Sequence, residues 1–259
     1  MNIDQELANL SQELQKNPAN VQAKQAKAVL LNNKALTLSK EAKHDEALKL
    51  IKQSIELDQT NPGLFNNQAI FLSKMNKYNE AIESVNKALQ LEPENKTSLE
   101  ILSVNLNNQF TVDVQKGLNN EALEKISRAI ELRPGEIIFH CNKASILNKL
   151  NRQKEALEWA DKALAIDQSS SNARTIKSVI LNQLALEDAD NQRFGDAIAK
   201  IDQAIGLKSN EIGHYINKGS FLLSLDRVQE AAKCADKALE LDKENKDAKK
   251  LKEIILKRK

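Results

Sequence analysis

The side chains best suited to catalysis or metal binding are few and widely separated in this chain of 259 residues. Its histidines, His44, His140 and His214, and its cysteines, Cys141 and Cys234, lack the H-E-x-x-H and C-x-x-C spacings of metal sites. His140 adjoins Cys141, but consecutive helical residues point about 100° apart and do not face each other. No stretch matches the G-x-x-x-x-G-K-[ST] pattern of a phosphate-binding loop. We therefore expect no enzymatic activity, no cofactor and no bound metal ion.

Primary amides, by contrast, recur at intervals of 34 and 41 residues. They are Asn33, Asn67, Asn108, Asn142, Gln183 and Asn217, and a further asparagine precedes four of them, at Asn32, Asn66, Asn107 and Asn182. An amide donates and accepts hydrogen bonds at once, which suits the unpaired N–H and C=O groups of an extended peptide. A row of such amides would recognise peptide backbone rather than sequence. The alternative is that these side chains bond to neighbouring helices.

The amides follow the period of a longer repeat. Fourteen residues after each one, an alanine opens a phrase with helical apolar periodicity, such as NEAIESVNKALQLEP. These alanines are Ala47, Ala81, Ala122, Ala156, Ala197 and Ala231. A second helical stretch and a short polar turn precede each phrase, so the unit is a helix hairpin that occurs six times. The alternating 34- and 41-residue spacings make a super-repeat of 75 residues.

The super-repeat predicts a single solenoid domain over residues 1–259. Its parts are an N-terminal cap helix in 1–18, super-repeats in 19–93, 94–168 and 169–243, and a basic C-terminal cap helix in 244–259. A terminal repeat has no neighbour to cover its apolar face, which is why solenoids need caps. The seven extra residues of the longer spacing add about two helical turns. They predict long first helices over 19–42, 95–116 and 170–190.

Composition supports an all-α fold. Glycine (7) and proline (4) are scarce and aromatic residues make up 3%, which argues against a sandwich or barrel with many tight turns. We expect few of the hairpin turns to need glycine or proline. The 38 basic and 36 acidic side chains nearly cancel, which argues against nucleic acid and anionic membrane surfaces as partners.

The ends and cysteines of the sequence bear on location. The start, MNIDQELANL, has no apolar core of a secretory signal, and no apolar run approaches the length of a membrane span. Two cysteines in a chain of this length indicate reduced thiols rather than a disulfide framework. We expect a cytoplasmic protein, and an organelle or cilium stays open.

The hairpin phrase resembles the tetratricopeptide repeat. The family's small residue in the first helix is present as Ala35, Ala69, Ala144, Ala185 and Gly219, and its second alanine in the second helix as Ala88, Ala129, Ala163, Ala204 and Ala238. Its closing proline is present as Pro93 and Pro134. Phe110 and Ser54 depart from the pattern. At Phe110 we expect a local splay or a rotated helix, unless the ring fills space that the long helix opens.

This resemblance implies an all-α, right-handed α-solenoid of antiparallel helix hairpins with capping helices, whose first helices line a concave groove. The amide series would then form a peptide-binding ladder, as an asparagine ladder does in some members of the family. Chaperone-binding members hold an acidic C-terminal tail in a two-carboxylate clamp. Here Val29, Val104 and Asn108 occupy the clamp's basic positions. The co-chaperone alternative is accordingly the weaker one.

The sequence thus predicts a non-enzymatic protein-interaction scaffold that binds an extended peptide or helix in the groove, with no small-molecule substrate. The alternative is a structural subunit packed permanently into a large assembly, for example a ciliary or cytoskeletal one. Residues 243–259 hold eight basic and three acidic side chains. They form either a capping helix with a solvated face or a basic patch for an acidic partner.

Overall fold

The computed structural model describes residues 3–258, which form helices joined by short turns. They fall into two compact units, one ending at Pro134 and the other beginning at Gly135. We refer to them as the N-terminal unit and the C-terminal unit and describe each by itself. Both consist of antiparallel helix hairpins, so the all-α repeat fold predicted from the sequence is confirmed.

The N-terminal unit has one leading helix and three hairpins, α2/α3, α4/α5 and α6/α7. Its helices are α1 (Ile3–Lys16), α2 (Val21–Lys40), α3 (His44–Leu57), α4 (Pro62–Lys74), α5 (Tyr78–Leu91), α6 (Lys96–Lys116) and α7 (Asn119–Leu132). The amphipathic α1 packs against α2 and contains no fully buried residue, as befits a cap.

The C-terminal unit has three hairpins, α8/α9, α10/α11 and α12/α13, and a final helix. Its helices are α8 (Ile137–Lys149), α9 (Gln153–Ile166), α10 (Ser171–Asp190), α11 (Phe194–Leu207), α12 (Ile212–Ser224), α13 (Val228–Leu241) and α14 (Lys246–Lys257). Helix α14 packs on α13 and α12 and buries Ala248, Leu251 and Ile255. Leu251 occupies space beside Gly219, where a Cβ would lie 2.7 Å from its Cδ2 atom.

The alanines that define the repeat lie where the two helices of each hairpin cross. All six that open the second helices are fully buried, and so are the five second alanines, because larger side chains would push the helix axes apart. Ser54, which replaces the second alanine in α3, is also fully buried. Its hydroxyl donates a 2.6 Å hydrogen bond to the carbonyl oxygen of Ala28 in α2. Phe110 is buried as well, with 7% of its surface exposed.

The predicted long first helices are α2, α6 and α10, with 20, 21 and 20 residues. Each begins at a side-chain cap in the same repeat position, and so does α14. The side-chain oxygens of Asn20, Asn95, Ser170 and Asn245 accept hydrogen bonds from the backbone N–H three residues later. Such caps satisfy N–H groups that a helix start leaves unpaired.

The turn inside each hairpin has one backbone geometry in all six copies. Five residues before the first alanine of the second helix, φ is positive, at Ala42, Asn76, Gly117, Asn151, Gln192 and Asp226. The next backbone N–H bonds back to a carbonyl in the last turn of the first helix, as Leu118 does to Asp113 at 2.9 Å, which is the Schellman pattern. We expected few turns to need glycine. Five of the six turns indeed lack glycine, although all six adopt the left-handed conformation that favours it.

The extra turns of α6 pack on the preceding hairpin rather than projecting from it. The hydroxyl of Ser98, in the first turn of α6, donates a 2.9 Å hydrogen bond to Oδ1 of Asn66 in the middle of α4. In the C-terminal unit, Ala173 of α10 packs against Cys141 of α8 at the equivalent positions. A long first helix is thus shifted along its axis relative to the first helix before it.

Candidate functional site

An apolar side chain and an amide share one face of each long first helix. The pairs Val29 and Asn33, Val104 and Asn108, and Val179 and Gln183 are four residues apart, which places both members on the same side of a helix. The three valines are 51%, 43% and 44% exposed. In short helix α8, Ile138 and Asn142 repeat the pattern, and Ile138 is 42% exposed. We call this repeated pair, which occurs twice in each unit, the valine–amide face; in α8 isoleucine takes the place of valine.

The amides of this face differ in what they already bind. Asn33 is exposed, Asn108 is half-buried, and the side chains of both lack a hydrogen-bond partner within residues 3–258. Gln183 is half-buried, and its Oε1 atom is buried without a partner in the described chain. Asn142 and Asn107 are half-buried and already engaged in contacts within the chain.

Two amide pairs link neighbouring first helices. Nδ2 of Asn67 in α4 donates to Oδ1 of Asn32 in α2 at 2.7 Å. Nδ2 of Asn217 in α12 donates to Oδ1 of Asn182 in α10 at 2.8 Å. These four amides therefore bond to neighbouring helices, which was the predicted alternative to ligand contact.

The helix shift interrupts the amide series between α4 and α6. Ser98 lies beside Asn66, and Asn108 is ten residues further along α6, about 15 Å at the rise of an α-helix. Asn66 is 5% exposed and accepts the bond from Ser98, so it belongs to the packing between the two helices. The N-terminal unit therefore brings Asn32 and Asn67 together and sets Asn108 apart from them.

The basic helix α14 is partly neutralised by its own chain. Nζ of Lys252 lies 2.6 Å from a carboxylate oxygen of Asp236 in α13, and Nζ of Lys249 lies 2.7 Å from one of Glu244. These ion pairs favour the capping role over a basic patch. Lys246, Lys250 and Lys257 are exposed.

The cysteines and His214 are placed for packing. Cys141 and Cys234 are free and buried, and burial raises the pKa of each thiol, which disfavours the nucleophilic thiolate. Burial likewise lowers the pKa of His214 and favours the neutral ring. Residues 3–258 contain no cluster of three His, Cys, Asp or Glu side chains able to hold a metal ion. The same residues include no helix with the length and apolar character of a membrane span.

Trp159 has a role that the sequence left unresolved. Its half-buried ring lies under two ammonium groups, with Nζ of Lys143 at 4.0 Å and Nζ of Lys162 at 3.8 Å from the ring centroid. The ring of His140 is tilted against it at 5.4 Å. The i,i+3 spacing of Trp159 and Lys162 hints at one of these contacts, whereas Lys143 comes from α8 through the fold.

Comparison with known proteins identifies the repeat. Models of the tetratricopeptide repeat match residues 50–83, 107–172, and both 28–61 and 215–245. A repeat protein from Cytophaga hutchinsonii has a similar structure, with a TM-score of 0.58 and 17% identity over 95% of this chain and 92% of that one. YrrB gives a TM-score of 0.52 and 19% identity over 78% and 97% of the two chains.

At this identity the two structures establish the fold alone, and no curated protein matches the sequence. The repeat models jointly cover more than half of the chain. The chain belongs to the tetratricopeptide repeat family.

Proposed function

We propose that this protein is a non-enzymatic scaffold that binds an extended segment of a partner protein along its first helices. The observation that carries the proposal is the valine–amide face, because it repeats on α2, α6, α8 and α10 with its apolar member exposed each time. Nothing in the packing of a hairpin requires an exposed valine at that position. Members of this family are generally protein-interaction modules, and YrrB is described as having an unusual peptide-binding site.

The chemistry of the face suits an extended peptide. Covering an exposed aliphatic side chain with a partner lowers the free energy by roughly 25 cal/mol per Å² of apolar surface buried. The amide four residues away can pair with the peptide N–H and C=O groups that would otherwise lose water without compensation. Asn33 and Asn108 are the amides best placed for this role, since their side chains are not used within the described chain.

The remaining amides contribute differently to the proposed ladder. Asn67 and Asn217 use Nδ2 to hold a neighbouring helix, which fixes the orientation of each side chain. Asn32, Asn66 and Asn182 accept those bonds or the one from Ser98. We therefore assign the main peptide contacts to Asn33 and Asn108 in the N-terminal unit and to Gln183 in the C-terminal unit. Asn67, Asn142 and Asn217 are assigned secondary contacts.

The test is peptide binding by a variant that lacks two free amides. Peptides selected from a random dodecapeptide library on the wild-type chain are titrated into the double variant Asn33→Ala/Asn108→Ala. Loss of two hydrogen bonds predicts binding about 10- to 100-fold weaker, with unchanged helicity and unfolding midpoint. The matched control is Gln53→Ala/Gln203→Ala, which removes two exposed amides from the second helices and should bind as the wild type does.

Two results would contradict the proposal. Equal affinity of the wild type and the Asn33/Asn108 variant would show that the valine–amide face does not hold the peptide. A wild-type chain that selects no peptide would favour the alternative, a structural subunit packed permanently into a larger assembly.

A further inference from the structure

A pocket of about 320 Å³ lies where α6 is shifted along α4. Ile70 of α4 and Ile101 and Val104 of α6 supply much of its lining. Val104 is also the apolar member of the valine–amide face. The pocket therefore belongs to the surface on which we place the partner, at the lower end of the size range of small-ligand sites.

One polar side chain, Asn105, lines this pocket without being satisfied. It is 1% exposed, and its Nδ2 atom donates a 2.8 Å hydrogen bond to the carbonyl oxygen of Ile101 one turn earlier. Its Oδ1 atom is buried and has no hydrogen-bond partner within the described residues. A buried acceptor left without a donor costs about 1–3 kcal/mol relative to a satisfied one.

The repeat shows that the fold itself does not require this amide. The residues at the equivalent position of the other super-repeats and of α14 are Leu30, Ile180 and Ile255, all aliphatic. Ile180 and Ile255 are 0% and 2% exposed and Leu30 is half-buried, so the position packs an aliphatic side chain in each of these copies. An asparagine there sacrifices apolar packing and leaves an acceptor unpaired. Such breaks of a local rule are expected at functional sites.

We infer that the pocket anchors a tyrosine or tryptophan side chain of the partner, whose O–H or N–H donates to Oδ1 of Asn105. An aromatic ring matches the walls formed by Ile70, Ile101 and Val104. The single donor on that ring matches Oδ1 of Asn105, which among the lining side chains is the buried acceptor without a partner. The polar side chains of Ser73, Lys74, Glu100 and Arg133 complete the lining. Phenylalanine or leucine would fill the same space and leave Oδ1 unpaired. This inference rests on the proposed function, because it names the side chain that holds the partner segment.

The pocket is tested first with small probes that differ by one donor. Indole and 1-methylindole are titrated into protein carrying labelled Ile and Val methyl groups, and the signals of Ile101 and Val104 are followed by NMR. Loss of one neutral hydrogen bond predicts that 1-methylindole binds about 3- to 10-fold more weakly than indole. In Asn105→Leu, which takes the residue of the first super-repeat, the two probes should bind equally.

The control is Gln109→Leu, one turn further along α6. The Oε1 atom of Gln109 is also buried without a partner in the described chain, but Gln109 does not line this pocket. The variant should keep the preference for indole. Equal binding of both probes to the wild type, or a preference that survives in Asn105→Leu, would overturn the inference.

Peptide selection separates this inference from the proposed function. Dodecapeptides selected on the wild type should be enriched in Tyr and Trp, and that enrichment should vanish on Asn105→Leu. Peptide binding without such enrichment would overturn the inference and leave the proposed function standing. A wild-type chain that selects no peptide would overturn both.

Discussion

The two units place different side chains at the same positions of one repeat, first of all where successive hairpins meet. In the C-terminal unit, three lysines each form an ion pair with an aspartate 16 residues earlier, with 2.6 Å between Nζ and Oδ1. The pairs are Lys177 with Asp161, Lys218 with Asp202, and Lys252 with Asp236. In the N-terminal unit, the positions 150 residues earlier hold Lys27 with Ser11 and Gln68 with Lys52, and neither pair joins opposite charges.

The buried positions show the same contrast more sharply. Asn105 in α6 stands where α10 has Ile180, and half-buried Asp113 stands where α10 has the buried Asp188. Asp188 accepts hydrogen bonds from Arg193 and Lys200. In the N-terminal unit Leu118 replaces the arginine, and the lysine is kept as Lys125. Exposed ion pairs contribute only about 0–1 kcal/mol each, so the buried differences matter more. The C-terminal unit buries Ile180 at a position where α6 of the N-terminal unit lines a pocket with Asn105.

Two single variants, each placing at one position the residue found at the other, should give the largest changes in the free energy of unfolding. Ile180→Asn removes a fully buried aliphatic side chain and inserts an amide, which should lower the free energy of unfolding by about 3 kcal/mol. Asn105→Ile should raise it by about 1 kcal/mol, because an unpaired acceptor disappears. Urea denaturation followed by circular dichroism measures both. If Asn105→Ile destabilised the protein, the amide would have a structural role that the contrast denies.

Removing the charge of Asp188 should give the next largest effect. Asp188→Asn leaves Arg193 and Lys200 without their shared carboxylate, and about 2 kcal/mol of unfolding free energy should be lost. Asp113→Asn is the matched variant in the N-terminal unit and should change stability by less than about 0.5 kcal/mol. Equal effects of the two substitutions in urea denaturation would remove this difference between the units.

The contribution of Asp188 to the free energy of unfolding should also depend on pH. Burial by itself would raise the pKa of Asp188, but the hydrogen bonds from Lys200 and Arg193 outweigh it and hold that pKa below its usual value. A lowered pKa stabilises the folded state above the unfolded-state pKa of about 3.9, and the gain is lost as the pH falls through the folded-state pKa. The stability gap between wild type and Asp188→Asn should therefore be full at pH 7 and shrink toward pH 3. A gap independent of pH would contradict the ion-pair explanation.

Substitutions in the hairpin turns should have the smallest effects on stability. Replacing glycine in one turn should destabilise the protein, and introducing glycine in the equivalent turn should stabilise it. Gly117 has φ of 78° with open space around its missing Cβ, so Gly117→Ala should cost about 1 kcal/mol through backbone conformation alone. Gln192 occupies the same turn position 75 residues later with φ of 60°, and Gln192→Gly should gain roughly 0.5 to 1 kcal/mol. Thermal unfolding measures both shifts. A loss of stability in Gln192→Gly would mean that its side chain, rather than its backbone, determines the turn.

Much of the fold followed from spacing. The alanines fixed which positions lie at the helix crossings, and the seven-residue excess located the long helices α2, α6 and α10, because burial and helical rise act on every copy alike. The left-handed turn residues do not follow from the sequence because one of the six is glycine and others, such as Ala42 and Gln192, carry no turn signal. Asn105 breaks an aliphatic repeat position that Leu30 and Ile180 keep, but the burial of its unpaired acceptor depends on the neighbouring helices.

The candidate site divides in the same way. Sequence periodicity located the amides and put Val29 beside Asn33 and Val104 beside Asn108, because residues four apart share a helix face. Which amides are already bonded depended on neighbouring helices, as in the contact between Asn67 and Asn32. That contact joins residues 35 positions apart, and no local rule specifies its geometry.

By itself, the sequence determined the helix hairpins, their number and their capping helices, since these depend on local periodicity and on small residues that recur at fixed spacing. Only the tertiary structure decided that the extra turns of α6 pack against α4. That shift moved Asn108 away from Asn67 and opened the pocket beside Val104 and Asn105. The physical reason is that the position of one helix along another is set by side-chain packing and hydrogen bonds between them, which the period of either helix leaves undetermined.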